Sequence, residues 1–463
     1  MGDFVLKRSI PVEEGYDLVV AGGGPAGVAA AVSAGRLGLK VMLVEPQGCL
    51  GGMATAGLVA LFGPMSDGVR RLAQGFIGEV VDRMYEKGWM ASTTSCKMEK
   101  PLAMSPDAWN KAYMHWSPFN PEGLKIVLDE FTKEAKVDVR FNTSVIDADI
   151  DPNDPKKVNG VIIFNIEGYQ YIKAKTYIDC TGEGVLAHQC KAEYKAAYRD
   201  TDVGLPINLV SLWGGVNWEV ARPHKAEHRG IFEKAFEQGR FTLVKDRMFS
   251  ATSLSRSATI LNSGQIFKVN VLDNKAMSEA LMLGRRQTLE FWDFMKKDLP
   301  GFEEVELVGT ASLMGVRESR KIIGEEELTK EDFYAKRQFP NQIGVYNRFM
   351  DIHAYNESKE EAERFESLYD KDSRSQLGVG NCLGLPYGMI VAKGWKNLWM
   401  AGRCSSCDNV VLGMVRAQPC CAILGQAAGV AAVQAIKTGQ EACKLDTDAL
   451  RDTLRKQGVY IPQ

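Results

Sequence analysis

Apolar residues along the chain fall into runs whose spacing changes from strand-like to helix-like and back. Residues 16–21 (YDLVVA) form a short β-branched run of the kind that makes a buried parallel strand. GGGPAG follows at once, Val28 to Leu37 read as an Ala-rich helix closed by Gly38, and 40–44 (KVMLV) resumes as a strand ending at Glu45. Strand, glycine turn, helix and strand within about thirty residues make a βαβ unit. Further on, 75–88 has helical spacing, and Pro121 opens a helix over PEGLKIVLDEFTKEAK. VDVRF and TSVIDADI then read as strands, and NGVIIFNI with QYIKAKTYIDC as a hairpin whose second arm ends in a buried strand. The stretch 90–120 is irregular.

From about 190 to 385 the texture differs, with helices expected near 223–239 and 275–298 and strands near 265–272 and 305–311. The first pattern returns at NLWMAG (397–402), followed by an Ala/Gly-rich helical stretch at 409–438 and a small amphipathic helix, DTDALRDTLRK. The expected architecture is α/β. A Rossmann-like dinucleotide-binding domain, a parallel sheet with helices and a β-hairpin insert, is formed by 1–190 and 386–463. An α+β substrate or cap domain, 191–385, is inserted into it.

Composition narrows this picture only a little. At 463 residues the chain suits two or three domains, its net charge of −2 comes with no basic tract, and a nucleic-acid partner is not expected. No run of about 18 apolar residues stands out, so no membrane span is expected. The polar start does not read as a signal peptide, and the ten scattered cysteines read as reduced thiols, which points to the cytoplasm. A homo-oligomer is left open.

The strongest chemical signal is Gly22, Gly24 and Gly27, a G-x-G-x-x-G between strand and helix. Gly22 permits the tight turn, Gly24 lets a diphosphate approach the backbone, and Gly27 allows helix and strand to pack closely. The helix N-terminus offers N–H donors to that diphosphate. Glu45 is placed to accept hydrogen bonds from a ribose and repels a 2′-phosphate. The motif does not separate FAD from NAD. Three features tilt toward FAD: Gly51 and Gly52 after Glu45; a second tight turn at Thr181-Gly182; and a GQAAG helix whose N-terminal dipole could face a flavin ring. No second G-x-G-x-x-G of the right spacing follows, so electrons are expected from an organic substrate or from a nicotinamide visiting the same face.

The chain resembles the FAD-dependent oxidoreductases of the glutathione-reductase-like flavoprotein superfamily. The matching segments are 16–55 with GGGPAG (including Pro25 and Ala26) and GGMAT (including Met53), TYIDCTGEG, MGVRESRKIIGEEELTKEDF, PYGMIVAKGWKNLWMAGRCSS and MVRAQPCCAILGQAAG. The resemblance implies FAD as the ligand, with Val145 near the adenine through its backbone and Gly402, Arg403, Gly413 and Met414 near the flavin. Glu183 stands where the family often has Asp, and the Cys404-x-x-Cys407 pair departs from its usual single Cys or none.

Candidates for substrate chemistry are fewer. His353, in a D-x-H similar to one in that family, is the expected acid/base. Arg317, Arg320 and Arg416 are candidates to hold an anionic or polyhydroxylated metabolite, although Arg317 and Arg320 could instead pair with Glu318 and Glu325. His224 and His228, four apart, read as a solvated helix face rather than a metal pair, and no metal is expected. Cys404 and Cys407 read as packed thiols in preference to a redox pair. The expected function is a dehydrogenase or reductase moving hydride to or from flavin N5 of a small-molecule substrate, with the electron acceptor or donor unspecified. The alternatives are a monooxygenase using NAD(P)H and oxygen, and a non-enzymatic or RNA-modifying flavoprotein.

Overall fold

The computed structural model describes residues 7–90, 117–358 and 376–463, together with 5, 360, 361, 363 and 364; most of the irregular 90–120 stretch, His115 included, lies outside them. Its first layer grows from β1 (Val12–Ala21), whose inner residues alternate between two buried faces. Leu18 and Val20 pack with the helices on one side, while Val19 and Ala21 join a second cluster on the other. The next strand, β2 (Val41–Val44), repeats this: Val41 and Leu43 face the helices, Met42 and Val44 the opposite cluster. Burial on both faces explains why these strands read as unbroken apolar runs.

Between them runs α1 (Pro25–Arg36), followed by α2 (Phe76–Glu86) and α3 (Pro121–Glu134). α3 starts where the sequence signals it, because Asn120 accepts hydrogen bonds from the N–H groups of Glu122 and Gly123 ahead of Pro121. The strands β3 (Asp138–Arg140), β4 (Ser144–Ile150), β5 (Val158–Asn165) and β6 (Gly168–Asp179) complete the N-terminal part of the sheet, in the order β3-β2-β1-β6-β5-β4. The long strand β6 is shared. One edge runs parallel to β1, and the other carries the antiparallel arm β5 over its first half.

The middle of the chain builds its own antiparallel sheet from β7 (Ser211–Gly214), β8 (Ala251–Ser253), β9 (Thr259–Leu261) and β10 (Glu306–Thr310), in the order β8-β9-β7-β10. Against it lie α4 (His228–Glu237) and α5 (Asn274–Asp298), around an aromatic core of Trp213, Phe232, Phe291, Phe294 and Phe302. Two expectations are corrected in this region. The helix near 223–239 starts only at His228 after a run of turns, and the strand near 265–272 is paired only at Gln265–Ile266, because Lys268 turns the chain with φ +59°.

The last strand, β11 (Leu398–Met400), then pairs parallel to the second half of β6, in the first sheet. The core around α1 also takes in Leu328, Ile343 and Tyr346 from the interval 191–385. The expected helical stretch 409–438 is split: a short turn of helix over 412–415 gives way to α6 (Gln418–Thr438), with Pro419 in its first turn. α6 corrects a second reading, since by length and composition it could cross a membrane. It is a core helix instead, 89% of its most apolar window being buried. A final α7 (Thr447–Lys456) packs on it.

α1 and α6 touch backbone to backbone. A Cβ on Gly425 would lie 2.0 Å from the Ala26 carbonyl oxygen, and one on Gly429 2.3 Å from that of Ala30. Gly425→Val is therefore expected to lower the unfolding free energy of the apoprotein by about 3 kcal/mol, read as a lower denaturant midpoint. Gly230→Ala, in α4 where an added Cβ meets nothing, is expected to raise it by about 0.5 kcal/mol.

Candidate functional site

The turn after β1 is dictated by sterics. Gly22 has φ +95°, and a Cβ there would sit 2.6 Å from the Cys180 carbonyl oxygen; a Cβ on Gly27 would lie 1.7 Å from the Gly22 carbonyl. Gly24 differs from both. It caps α1 with no side chain bonded to the helix N–H groups, and a Cβ on it would meet no protein atom within 4 Å. The space it faces is a cavity of about 1140 Å³ that runs from this turn into the middle of the chain. Gly22, Gly24, Pro25, Ala26, Glu45, Gly52, Met53, Val145, Thr181, Gly182, Gly402 and Arg403 all line it.

Glu45 is buried, with one carboxylate oxygen accepting from the Gly23 N–H at 2.6 Å and the other from Gln47 N–H at 2.8 Å. Burial pushes its pKa up, opposed by those two N–H groups. Gly52 backs onto the Gly24 Cα, so a side chain there would crowd the turn from behind. The Thr181 hydroxyl donates to Asp179 (2.7 Å) and accepts from Val185 N–H (2.8 Å), which locks the second turn. Arg403 joins this wall to the inner end of the cavity: it pairs with Glu183, donates to Gly182 O at 3.2 Å and to the carbonyl of Val316.

Other expected members lie elsewhere. Gly27 and Gly51 are off the cavity wall; Gly51 has φ +101° and faces the Thr55 side chain. Gly413 packs on the Asp351 backbone and Met414 is buried in the α1–α6 core, so neither lines the cavity. The GQAAG segment is mid-helix rather than at a helix start, since Gly425 and Gly429 serve the contact with α1. The N-terminal residues of α6, Ala417 and Gln418, are the ones that reach the cavity. Cys404 and Cys407 are free thiols that face different cores, and burial pushes both pKa values up.

At the inner end, Arg317, Arg348, Asp351, His353 and Arg416 line the cavity together. Asp351 is the hub: Arg348 donates to it at 2.6 Å and Arg416 at 2.9 Å, and Nε2 of His353 lies 3.4 Å away. Although the carboxyl is partly buried, these cations hold Asp351 well below the usual carboxylate range. The other ring nitrogen of His353 bonds to Gln265 Nε2 at 3.1 Å. Both nitrogens are therefore engaged with protein groups, and burial followed by nearby Arg317 lowers the ring's pKa to about 4. His353 braces Asp351, which is not the posture of the acid/base expected of it.

Arg317 donates to Pro206 O at 2.7 Å, and among the described residues no carboxylate is within ion-pairing reach of it. Arg320 is off the cavity wall; it donates to Glu183 O and lies over Tyr194. Neither arginine pairs with Glu318 or Glu325, which accept instead from the N–H groups of Leu205 and Gly394. The solvated-face reading also fails for His228, which is buried edge-on against Phe302 and lines the cavity, whereas His224 pairs with Glu227 at the surface. Gln265 and Arg348 were not singled out in the sequence; Arg348 could have been found in R-x-x-D-x-H, three ionisable groups within six residues of an otherwise apolar segment.

A glycine turn on a βαβ unit, a buried acid at the end of the second strand and a long cavity between them define a dinucleotide-binding oxidoreductase fold. The model of the family described as FAD dependent oxidoreductase matches residues 17–454. The chain belongs to that family, and FAD is its cofactor. Dihydrolipoyl dehydrogenase of Trypanosoma brucei brucei is 50% identical over 48 residues, 10% of either chain, so the match spans a small part of that relative's length. Among solved structures, a geranylgeranyl bacteriochlorophyll reductase-like protein from Thermoplasma acidophilum is 13% identical with a TM-score of 0.50, covering 97% of this chain and 85% of that one. A p-nitrophenol 4-monooxygenase from Pseudomonas putida is 13% identical, TM-score 0.48, covering 96% and 89%.

The cradle fits FAD by its own chemistry. Space beyond Gly24 and the uncapped N–H groups of α1 suit a diphosphate, and Glu45 suits a ribose. Gly24→Val is expected to fold with unchanged unfolding midpoint as apoprotein and to lose FAD, read as a colourless preparation; a yellow variant would refute the placement. A second expectation follows from His353. The unfolded chain protonates this ring near pH 6.5 and the folded protein only near about 4, so between those values the unfolded state holds more protons and stability falls as pH falls. The full span is worth about 3 kcal/mol. His353→Gln is expected to flatten the pH dependence of unfolding between pH 6.5 and 4; an unchanged slope would mean the ring titrates normally when folded.

Proposed function

We propose that this enzyme is a dehydrogenase or reductase that exchanges a hydride with a small anionic metabolite, whose acid group is held by Arg317. FAD, when bound, supplies the chemistry: it accepts or donates the hydride at N5. The observation that carries the reading is the charge state of Arg317. Burial, and then Arg416, draw its pKa down to about 10, so it still carries its charge at neutral pH. Asp351 and Asp246 act on this buried cation only from a distance, and an arriving carboxylate or phosphate would add two parallel hydrogen bonds in direct contact. Arg416 and Arg348 are already engaged by Asp351, so Arg317 is the arginine in this group that a ligand can claim.

The remaining residues position and exclude. Asp351 stays ionised and fixes both of its arginines, which makes it a poor proton acceptor. His353 and Gln265 hold Asp351 in turn, so His353 is a positioning residue. The apolar walls of the cavity shed water from the space between the cradle and Arg317, which strengthens the ion pair.

Anaerobic bleaching of the yellow holoenzyme by hydroxy acids and sugar acids, compared with neutral polyols, tests the reading. Acids are expected to bleach it, and Arg317→Gln is expected to raise their KM by about 10- to 100-fold with a smaller change in kcat. Equal bleaching by neutral polyols would overturn the anionic assignment. Rapid NADPH oxidation coupled to oxygen uptake would favour a monooxygenase.

A further inference from the structure

Beside Arg317 the cavity wall carries a pair of amides that neither the dinucleotide cradle nor the Asp351 cluster uses. Asn208 Nδ2 donates to Asn262 Oδ1 at 2.7 Å, and both residues line the cavity. The backbone places Asn208 close to Arg317. Its carbonyl accepts from the N–H of Gly315, two residues before Arg317, at 2.8 Å, and Pro206, two residues before Asn208, accepts from the Arg317 guanidinium. Asn262 comes from the neighbouring segment, where its N–H donates to the carbonyl of Ser250 at 3.0 Å; Ser250 lines the cavity as well.

The bond between the amides uses one hydrogen of Asn208 and the side-chain carbonyl of Asn262. It leaves Asn208 Oδ1 and the Asn262 NH2 group with no bond to a described residue, and neither atom is sealed inside the protein. Asn208 is only 3% exposed, so its unmet acceptor opens on the cavity it lines. Gly315 keeps that acceptor uncovered, since a Cβ there would lie 3.1 Å from Asn208 Oδ1 and 2.7 Å from the Asn208 carbonyl oxygen. A deeply placed amide oxygen without a donor costs free energy that an arriving O–H or N–H recovers. Turning both amides over exchanges their roles and still leaves one acceptor and one donor facing outward. The Ser250 hydroxyl, bonded to no described residue, adds a group that can do either. No charged side chain bonds to either amide, so this shelf is neutral.

We propose that Asn208, Asn262 and Ser250 form a specificity shelf for hydroxyl groups, so that the substrate is a polyhydroxylated acid of the sugar-acid class. A carboxylate only accepts hydrogen bonds and would face Asn208 Oδ1 lone pair to lone pair; an ammonium only donates and would waste the Asn262 NH2 group. A hydroxyl does both with one oxygen, and successive hydroxyls on a carbon chain serve an acceptor and donors contributed by separate segments. The inference rests on Arg317 taking the acid group and specifies what the rest of the substrate carries.

The test is calorimetric titration of the FAD-loaded full chain with gluconate and galactonate, with hexanoate as the acid lacking hydroxyls and sorbitol as the polyol lacking an acid. At least one sugar acid is expected to bind about 10-fold or more tightly than hexanoate. That ratio is expected to fall toward one in Asn262→Ala and in Asn208→Leu, a change that keeps the side-chain volume, with flavin content unchanged in both. Sugar acids that bind no better than hexanoate, or a preference that survives both substitutions, would overturn the shelf. Sorbitol binding as tightly as the sugar acids, with the same loss in the two variants, would instead uphold the shelf and remove Arg317 from its acid-binding role.

Discussion

Much of this molecule depends on the approach of α1 to α6 without intervening side chains. Gly425 and Gly429 let the α6 backbone rest against the carbonyls of Ala26 and Ala30, closer than any Cβ would allow. That contact brings the first turns of both helices to the same cavity: Pro25 and Ala26 from one, Ala417 and Gln418 from the other. Two helix N-termini then face one space, and the partial positive charges they carry make it a place for an anionic cofactor. The strands follow from the same arrangement. With helices on one face and the β-hairpin cluster on the other, β1 and β2 must be apolar on both sides, as they are.

The inner end of the cavity obeys a different logic, that of a buried charge cluster. Three arginines and one aspartate share the inner end of the cavity, and a neutral histidine completes the set. Asp351 neutralises two of the cations by direct contact, and the third is left to a backbone carbonyl. Arg317 thus braces the backbone at Pro206, with Asp351 and Asp246 offsetting part of its charge from a distance.

The cradle was legible in the sequence because each of its glycines answers a local steric demand that can be read within a few residues. Gly22, Gly24 and Gly27 sit between a strand and a helix, and Glu45 ends the next strand; no long-range knowledge is needed. The same local reading misassigned GQAAG, since glycines spaced for helix packing look like glycines spaced for a phosphate. It also gave His228 to a solvated face, because helical spacing among charged neighbours says nothing of the Phe302 ring that covers it. The Asp351 cluster was only half visible. His353 and Arg416 stand in different segments of the chain, and the proton-bearing role expected of His353 gave way once Gln265, 88 positions away, was found on its second nitrogen.

Arg403 carries a consequence for how the two ends of the cavity behave together. Its guanidinium grips the Gly182 carbonyl and the Glu183 carboxylate on the cradle side, and the carbonyl of Val316 immediately before Arg317 on the other. A single rigid plane thus acts as a strut between the floor of the cradle and the segment that carries Arg317. Any displacement of the 181–184 loop would therefore be felt, through one side chain, at the backbone that carries Arg317.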